Sequence, residues 1–176
     1  MPTLLDTRDG STAHPARTSR DWPGLLTTFD LRGARYRVLP HAPESRVEEA
    51  SRLRGSSLAQ SARCRLVRVR RGRRVLCEVL TVVPGDRTVD LVAVARLFGG
   101  TAATFTPPHT VEELGGGPEG VLVPFACAPG VELVVEPALL EHEEIHFNAG
   151  RLDVSVALRT EDYRRLARPT VARIAA

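Results

Sequence analysis

Apolar positions along the chain follow two repeats, one of period two and one close to period three and a half. The clearest case of the first is Arg65-Leu66-Val67-Arg68-Val69-Arg70, which leads to a turn at Arg71-Gly72 before Val75 to Val83 returns as a long apolar strand. This predicts a hairpin whose return strand is central, because a strand apolar on both faces must be covered on both. Tyr36 to Leu39, Ala102 to Thr106, Gly120 to Phe125 and Val131 to Val135 read as further strands, with Pro129-Gly130 turning between the last two. Ile145 and Phe147 alternate into Val154, Val156 and Leu158 around Asn148-Ala149-Gly150, predicting one more hairpin.

Helical spacing appears over about Pro23 to Arg32, with Gly33 as stop, and over Arg46 to Arg54, with Gly55 as stop. Ser45 with Glu48 and Thr110 with Glu113 have the spacing of capping boxes, in which each side chain satisfies the other's free backbone amide. Asp90 is placed to cap a helix through Phe98, and Thr160 to cap the last one. A short helix follows Glu136-Pro137, proline suiting the first helical position. Pro84-Gly85-Asp86 predicts a turn, glycine there tolerating positive φ. Strands outnumber helices and are mostly joined by hairpins. The expected fold is therefore α+β, a mixed, largely antiparallel curved sheet or half-open barrel with surrounding helices.

Composition narrows the function classes. With 176 residues, of which 43% are hydrophobic and 26% charged, the chain suits one globular domain over residues 22–176, and residues 1–21, polar and without period, read as a mobile arm. No apolar run approaches the roughly 18 residues of a membrane span, and the start lacks the pattern of a signal peptide, so the expectation is a cytoplasmic protein with no membrane partner. Cys64, Cys77 and Cys127 are too scattered for a disulfide framework and read as buried thiols. All 24 basic residues are arginine, so no side-chain amine exists for Schiff-base or general-base work.

Three motifs invite chemistry. His142-Glu143-Glu144-Ile145-His146 has the HExxH form, but zinc needs both histidines on one helix, and the alternation at Ile145 and Phe147 predicts that the helix ends between them; no metal is expected. Gly115-Gly116-Gly117-Pro118-Glu119-Gly120 is either a flexible turn or a backbone surface open to a ligand. Arg68, Arg70, Arg71, Arg73 and Arg74 crowd the hairpin, either as a solvated edge or as contacts to nucleic-acid phosphates.

Five segments in order carry a resemblance: YRVLPH; ASRLRGSSLAQSARCRLVRV; VLTVVPGDRTVDLVAVARLFG; GPEGVLVPFA; and EPALLEHEEIHFNAGRLDVSVAL with TEDYRRL. From about Tyr36 to Leu166 the chain resembles the YbaK/prolyl-tRNA-synthetase-associated domain, the family of freestanding and fused aminoacyl-tRNA editing deacylases. The resemblance implies hydrolysis, without metal or cofactor, of the ester joining a wrongly attached amino acid to the terminal adenosine of tRNA. The partners implied are the tRNA acceptor end and an aminoacyl-tRNA synthetase. The GxxxP loop, matched by Gly120 and Pro124, implies backbone amides near the ester carbonyl; His41, Asn148, Ala149, Gly150 and Asp153 would line the substrate pocket. The family usually has lysine where this chain has Arg63, its most characteristic functional position. Arg63 could hold a phosphate or ribose and stabilise negative charge, but cannot give up its proton near neutrality. The alternative this raises is a related domain without hydrolytic activity, binding an aminoacyl or nucleotide-like ligand or a partner protein.

Overall fold

The computed structural model describes residues 22–116, 121–126 and 128–176. The expected N-terminal arm, the centre of the glycine loop (residues 117–120) and Cys127 lie outside the described residues. In chain order the elements are α1 (Trp22–Leu31), β1 (Tyr36–Pro40), α2 (Val47–Arg54), a 3₁₀ turn (Leu58–Gln60), β2 (Ala62–Arg71), β3 (Arg74–Pro84), α3 (Leu91–Leu97) and β4 (Ala102–Phe105). They continue with α4 (Pro108–Glu113), β5 (Val131–Val135), a second 3₁₀ turn (Pro137–Glu141), β6 (Glu144–Asn148), β7 (Val154–Arg159), α5 (Thr160–Ala167) and β8 (Thr170–Val171).

The strands form two open sheets, one ordered β1-β7-β6 and one ordered β4-β2-β3-β5-β8. Pairing is antiparallel except at β3–β5 and β5–β8. The expected mixed, mainly antiparallel α+β fold is therefore present, as two open sheets that meet at one bridge between Ser61 and His146. β3 is central in its sheet, as its unbroken apolar run requires. Its alternate residues serve two cores: Leu80 and Val82 face one, with Leu66, Leu133, Val135 and the inner face of the small sheet, while Val79 and Val83 face the other, with Val67, Val69, Val94 and Ile174. Leu25 and Phe29, one helical turn apart on α1, are buried in the first core. No helix among the described residues is long and apolar enough to cross a membrane.

Several local expectations change. α2 begins at Val47, one residue later than its pattern suggested, so Glu48 occupies the second rather than the third helical position and cannot close a box with Ser45. Glu44 accepts the Arg46 amide at 2.8 Å instead. Thr110 lies inside α4, which opens at Pro108, and so caps nothing; Thr160 starts α5 without a side-chain cap and donates its hydroxyl to the carbonyl of His142. A capping box does form, at Ser57 and Gln60. The expected strand from Gly120 to Phe125 is absent over 121–126, where the Phe125 amide donates to the Val123 carbonyl across Pro124, a tight turn that proline's fixed φ favours. β5 accordingly pairs in parallel with β3. Gly85 is needed for space rather than for positive φ, since a Cβ there would lie 2.9 Å from the Leu58 carbonyl oxygen.

Candidate active site

Among the described residues edge strand β4 pairs only with residues 67–70 of β2, leaving the first half of β2 as the wall of a cavity. The cavity, about 560 Å³, is closed on its other sides by α2, the start of α4, residues 121 and 122, and Asn148 at the end of β6. Arg63 and Asn148, far apart in sequence, both line it.

Arg63 is fixed rather than free. Its Nη2 donates to the Gly85 carbonyl at 2.6 Å and to Glu48 Oε1 at 2.5 Å, while its Nε is buried with no hydrogen-bond partner among the described residues. The Glu48 carboxyl is held below its usual range by its own backbone amide and then by Arg63. Both contacts depend on features described above: the late start of α2 frees Glu48, and the tight turn at Gly85 presents its carbonyl.

Deeper in the wall stands Arg54, the last residue of α2. The chain turns away at Gly55, with φ of 70°, so the guanidinium folds back under the helix end. It donates from Nε to Ser56 at 3.1 Å, from Nη1 to Ser155 at 2.9 Å and Asn148 Oδ1 at 3.3 Å, and from Nη2 to Ser61 at 3.0 Å and Ser51 at 3.5 Å. All five donors thus meet neutral oxygens. Among the described residues no carboxylate pairs with Arg54, and burial pulls its pKa down to about 10, so it remains charged near neutral pH. The result is a cationic cavity wall.

Asn148 is held in this network by both ends of its amide. Its Oδ1 also accepts from Ser155 at 3.0 Å, and its Nδ2 donates to the Glu44 carbonyl at 3.0 Å. His41 does not line the cavity; it joins the same network from outside through Nε2 and Ser155 Oγ, 2.7 Å apart. Ala149, fully buried, and Gly150, with φ of 78°, make the corner that ends β6 rather than cavity surface. Asp153 pairs with Arg151 at 2.8 Å and takes the His41 amide on its carbonyl. These three support the wall from behind. Pro124 is buried beside it, and Gly120 lies outside the described residues.

The basic hairpin stands apart from the cavity. Gly72 at its tip is nine residues along from Arg63, roughly 30 Å at strand spacing. Arg68 is engaged with Glu78 at 2.5 Å, and Arg71 with the Gly99 carbonyl at 2.6 Å; Arg70 is half-buried, and Arg73 and Arg74 are exposed at the turn. As expected, the two histidines of the HExxH string do not share a helix: His142 ends the second 3₁₀ turn and His146 is buried on β6. No group of three metal-ligating side chains occurs among the described residues.

Sequence reading missed Arg54, Glu48, Arg65 and Phe105 as cavity residues. A signal for Arg54 was present in the serine-dense stretch SRLRGSSLAQS, which supplies three of its acceptors, Ser51, Ser56 and Ser61. For Glu48 and Phe105 nothing in the linear pattern pointed to the site.

The cleft brings Arg54, Arg63 and Asn148 into one wall, and comparison with known proteins supplies the class. The chain belongs to the aminoacyl-tRNA editing domain family, whose model matches residues 41–166 and so spans every cavity residue described. It is 38% identical over 146 residues to the multifunctional Ser/Thr-tRNA deacylase ProXp-y of Escherichia coli K12, covering 82% of this chain and 87% of the relative. A crystal structure of a hypothetical protein superimposes with a TM-score of 0.75 at 24% identity, over 86% of this chain and 99% of that one. A candidate trans-editing enzyme for prolyl-tRNA synthetase gives a TM-score of 0.72 at 20% identity, over 94% and 99%. At these identities the two structures establish a shared fold.

Proposed function

We propose that the protein is a trans-editing aminoacyl-tRNA deacylase, which hydrolyses the ester between a wrongly attached amino acid and the terminal adenosine of tRNA. The observation that carries this reading is family membership over a span that contains the whole cavity. Seryl and threonyl esters are the substrates we assign, from the named relative and from the polar Arg54 and Asn148 side chains that line the cavity.

In this reading Arg63 is an electrostatic residue. Held by Gly85 and Glu48, its guanidinium presents a fixed positive charge where the ester oxygen becomes negative. Backbone amides of the loop from Gly120 to Pro124 share that task, Val121 and Leu122 being its described lining residues. The substrate's own vicinal hydroxyl relays the proton of the attacking water, accepting it as it passes its own proton to the departing ribose oxygen. The water oxygen bonds to the carbonyl carbon, the ester C–O bond breaks, and a proton ends on the departing ribose oxygen. Asn148 and Arg54 shape the aminoacyl pocket, with His41, Ala149, Gly150 and Asp153 positioning them. Neither metal nor cofactor enters this scheme.

Arg73 and Arg74, with Arg70, meet phosphates farther along the acceptor stem, while Arg68 and Arg71 brace the hairpin. Such contacts make binding fall as salt rises. This reading assigns the protein a cytoplasmic role alongside the synthetase that makes the error.

Incubation with a panel of mischarged tRNAs tests the reading. Wild type is expected to deacylate Ser- and Thr-charged species, and Arg63→Ala to lose about 100-fold or more in rate, the size seen when one stabilising donor is removed. Wild type that is inactive on every member of the panel, with turnover appearing in Arg63→Lys, would instead identify a domain that binds without hydrolysing.

A further inference from the structure

The described aromatic rings are nearly all internal. Phe29, Phe125, Phe147 and Tyr163 form a buried cluster of tilted and edge-to-face rings joined by Tyr36, and Phe98 packs into the second core. Phe105 is the exception: at the last position of edge strand β4 its side chain is 51% exposed. It is opposite Val67 in the β2–β4 register, which makes Arg65 its diagonal neighbour on the same face. The Arg65 guanidinium carbon sits 5.7 Å from the Phe105 ring centroid, and both residues line the cavity that holds Arg63. Among the described residues Arg65 has no carboxylate partner. An exposed ring and an unpaired cation at the mouth of a cationic cleft are therefore left over by the folding of this chain.

We infer that Phe105 and Arg65 form a stacking platform for the base of the terminal nucleoside, a subsite separate from the aminoacyl pocket around Asn148. The identification of that nucleoside as the tRNA's terminal adenosine rests on the deacylase reading above. An aromatic face binds a nucleobase through its π surface whichever base is presented, and a guanidinium on the same ring adds cation–π attraction and a charge for the adjoining phosphate. The cavity, about 560 Å³, lies within the roughly 300–1,000 Å³ of sites that enclose drug-sized ligands, room for a nucleoside with its aminoacyl group. Stacking at the rim fixes the ribose, and with it the ester, relative to Arg63. Phe105 is on this account a positioning residue.

The test uses a hydrolysis-resistant probe, 3′-seryl-amido-3′-deoxyadenosine, and its counterpart lacking the base, titrated calorimetrically into wild type, Phe105→Ala and Phe105→Trp. Stacking predicts that Phe105→Ala weakens the adenosine probe about tenfold, that Phe105→Trp restores it, and that the baseless probe does not distinguish the three. In turnover of Ser-charged tRNA the loss falls mainly on KM, with the smaller change in kcat. Equal affinity of wild type and Phe105→Ala for the adenosine probe overturns the platform, as does an equal loss for the baseless probe. If wild type deacylates no tRNA yet the adenosine probe still depends on Phe105, the platform stands and the deacylase reading fails. Matching unfolding midpoints for the three proteins establish that the comparison concerns binding.

Discussion

Arg54 shows how one side chain can organise a site without a counter-charge. Five neutral oxygens replace the water that its guanidinium gives up, drawn from α2, the following loop, β6 and β7. Removing it leaves those oxygens without their donor and takes away one of the three contacts on Asn148, so Arg54→Met is expected to destabilise the protein by about 2–4 kcal/mol. Arg54→Lys should recover less than half of that, because an ammonium offers three donors from a point where the guanidinium offers five in a fork. Urea unfolding of the two variants measures both values; a lysine variant as stable as wild type would show that charge, not the fork, matters. Arg63 poses the complementary case. Its position was legible from the segment around it, whereas its restraint by Glu48 and Gly85 depended on where α2 begins and how the chain turns after β3.

Elements are joined here by polar contacts that local patterns did not announce. Glu136 precedes the proline that opens the second 3₁₀ turn, the role its sequence context suggested, but its buried carboxylate reaches the chain end instead. One oxygen accepts the amides of Ile174 and Ala175 at 2.7 and 2.9 Å, fastening the segment after β8 across β5 and burying Ile174. Glu136→Ala is expected to cost about 1–3 kcal/mol for two orphaned amides and to speed hydrogen exchange at Ile174 and Ala175 more than in β2 or β3. Glu136→Gln, which keeps an acceptor, should lie between. Uniform acceleration across all strands would mean that the tail is part of one cooperative unit rather than a locally held strap.

At the scale of the whole molecule, pH reports on burial. His146 forms the bridge between the sheets with Ser61, and burial, reinforced by the charge of Arg54, lowers its pKa to about 4 despite Glu144 nearby. Its unfolded value is near 6.5, so between those limits the unfolded chain binds the extra proton and stability falls as pH falls, by on the order of 3 kcal/mol. Asp162 acts lower down: burial alone would raise its pKa, but hydrogen bonds from Arg35 and Arg165 outweigh that and hold it at about 2. Its contribution is present above about pH 4 and is lost as pH falls toward 2. Unfolding free energy measured from pH 7 downward should therefore decline in two stages, and His146→Gln should remove the first while leaving the second.

Local chemistry determined much of this protein from its sequence. Alternation of side chains set the β2–β3 hairpin and the β6–β7 hairpin, two-sided apolarity put β3 in the middle of its sheet, and glycines at left-handed positions ended helices α1 and α2. Those are properties of a strand or a turn and need no knowledge of its neighbours. The order of segments carried the family, and so the position of Arg63. Tertiary structure alone decided the rest: the parallel pairing of β5 to β3, the early end of β4 that opens the cavity, and the meeting of Arg54 with Asn148 and of Arg65 with Phe105. Each of these joins residues distant in the chain, and polar partners brought together by packing leave no period in the sequence to read.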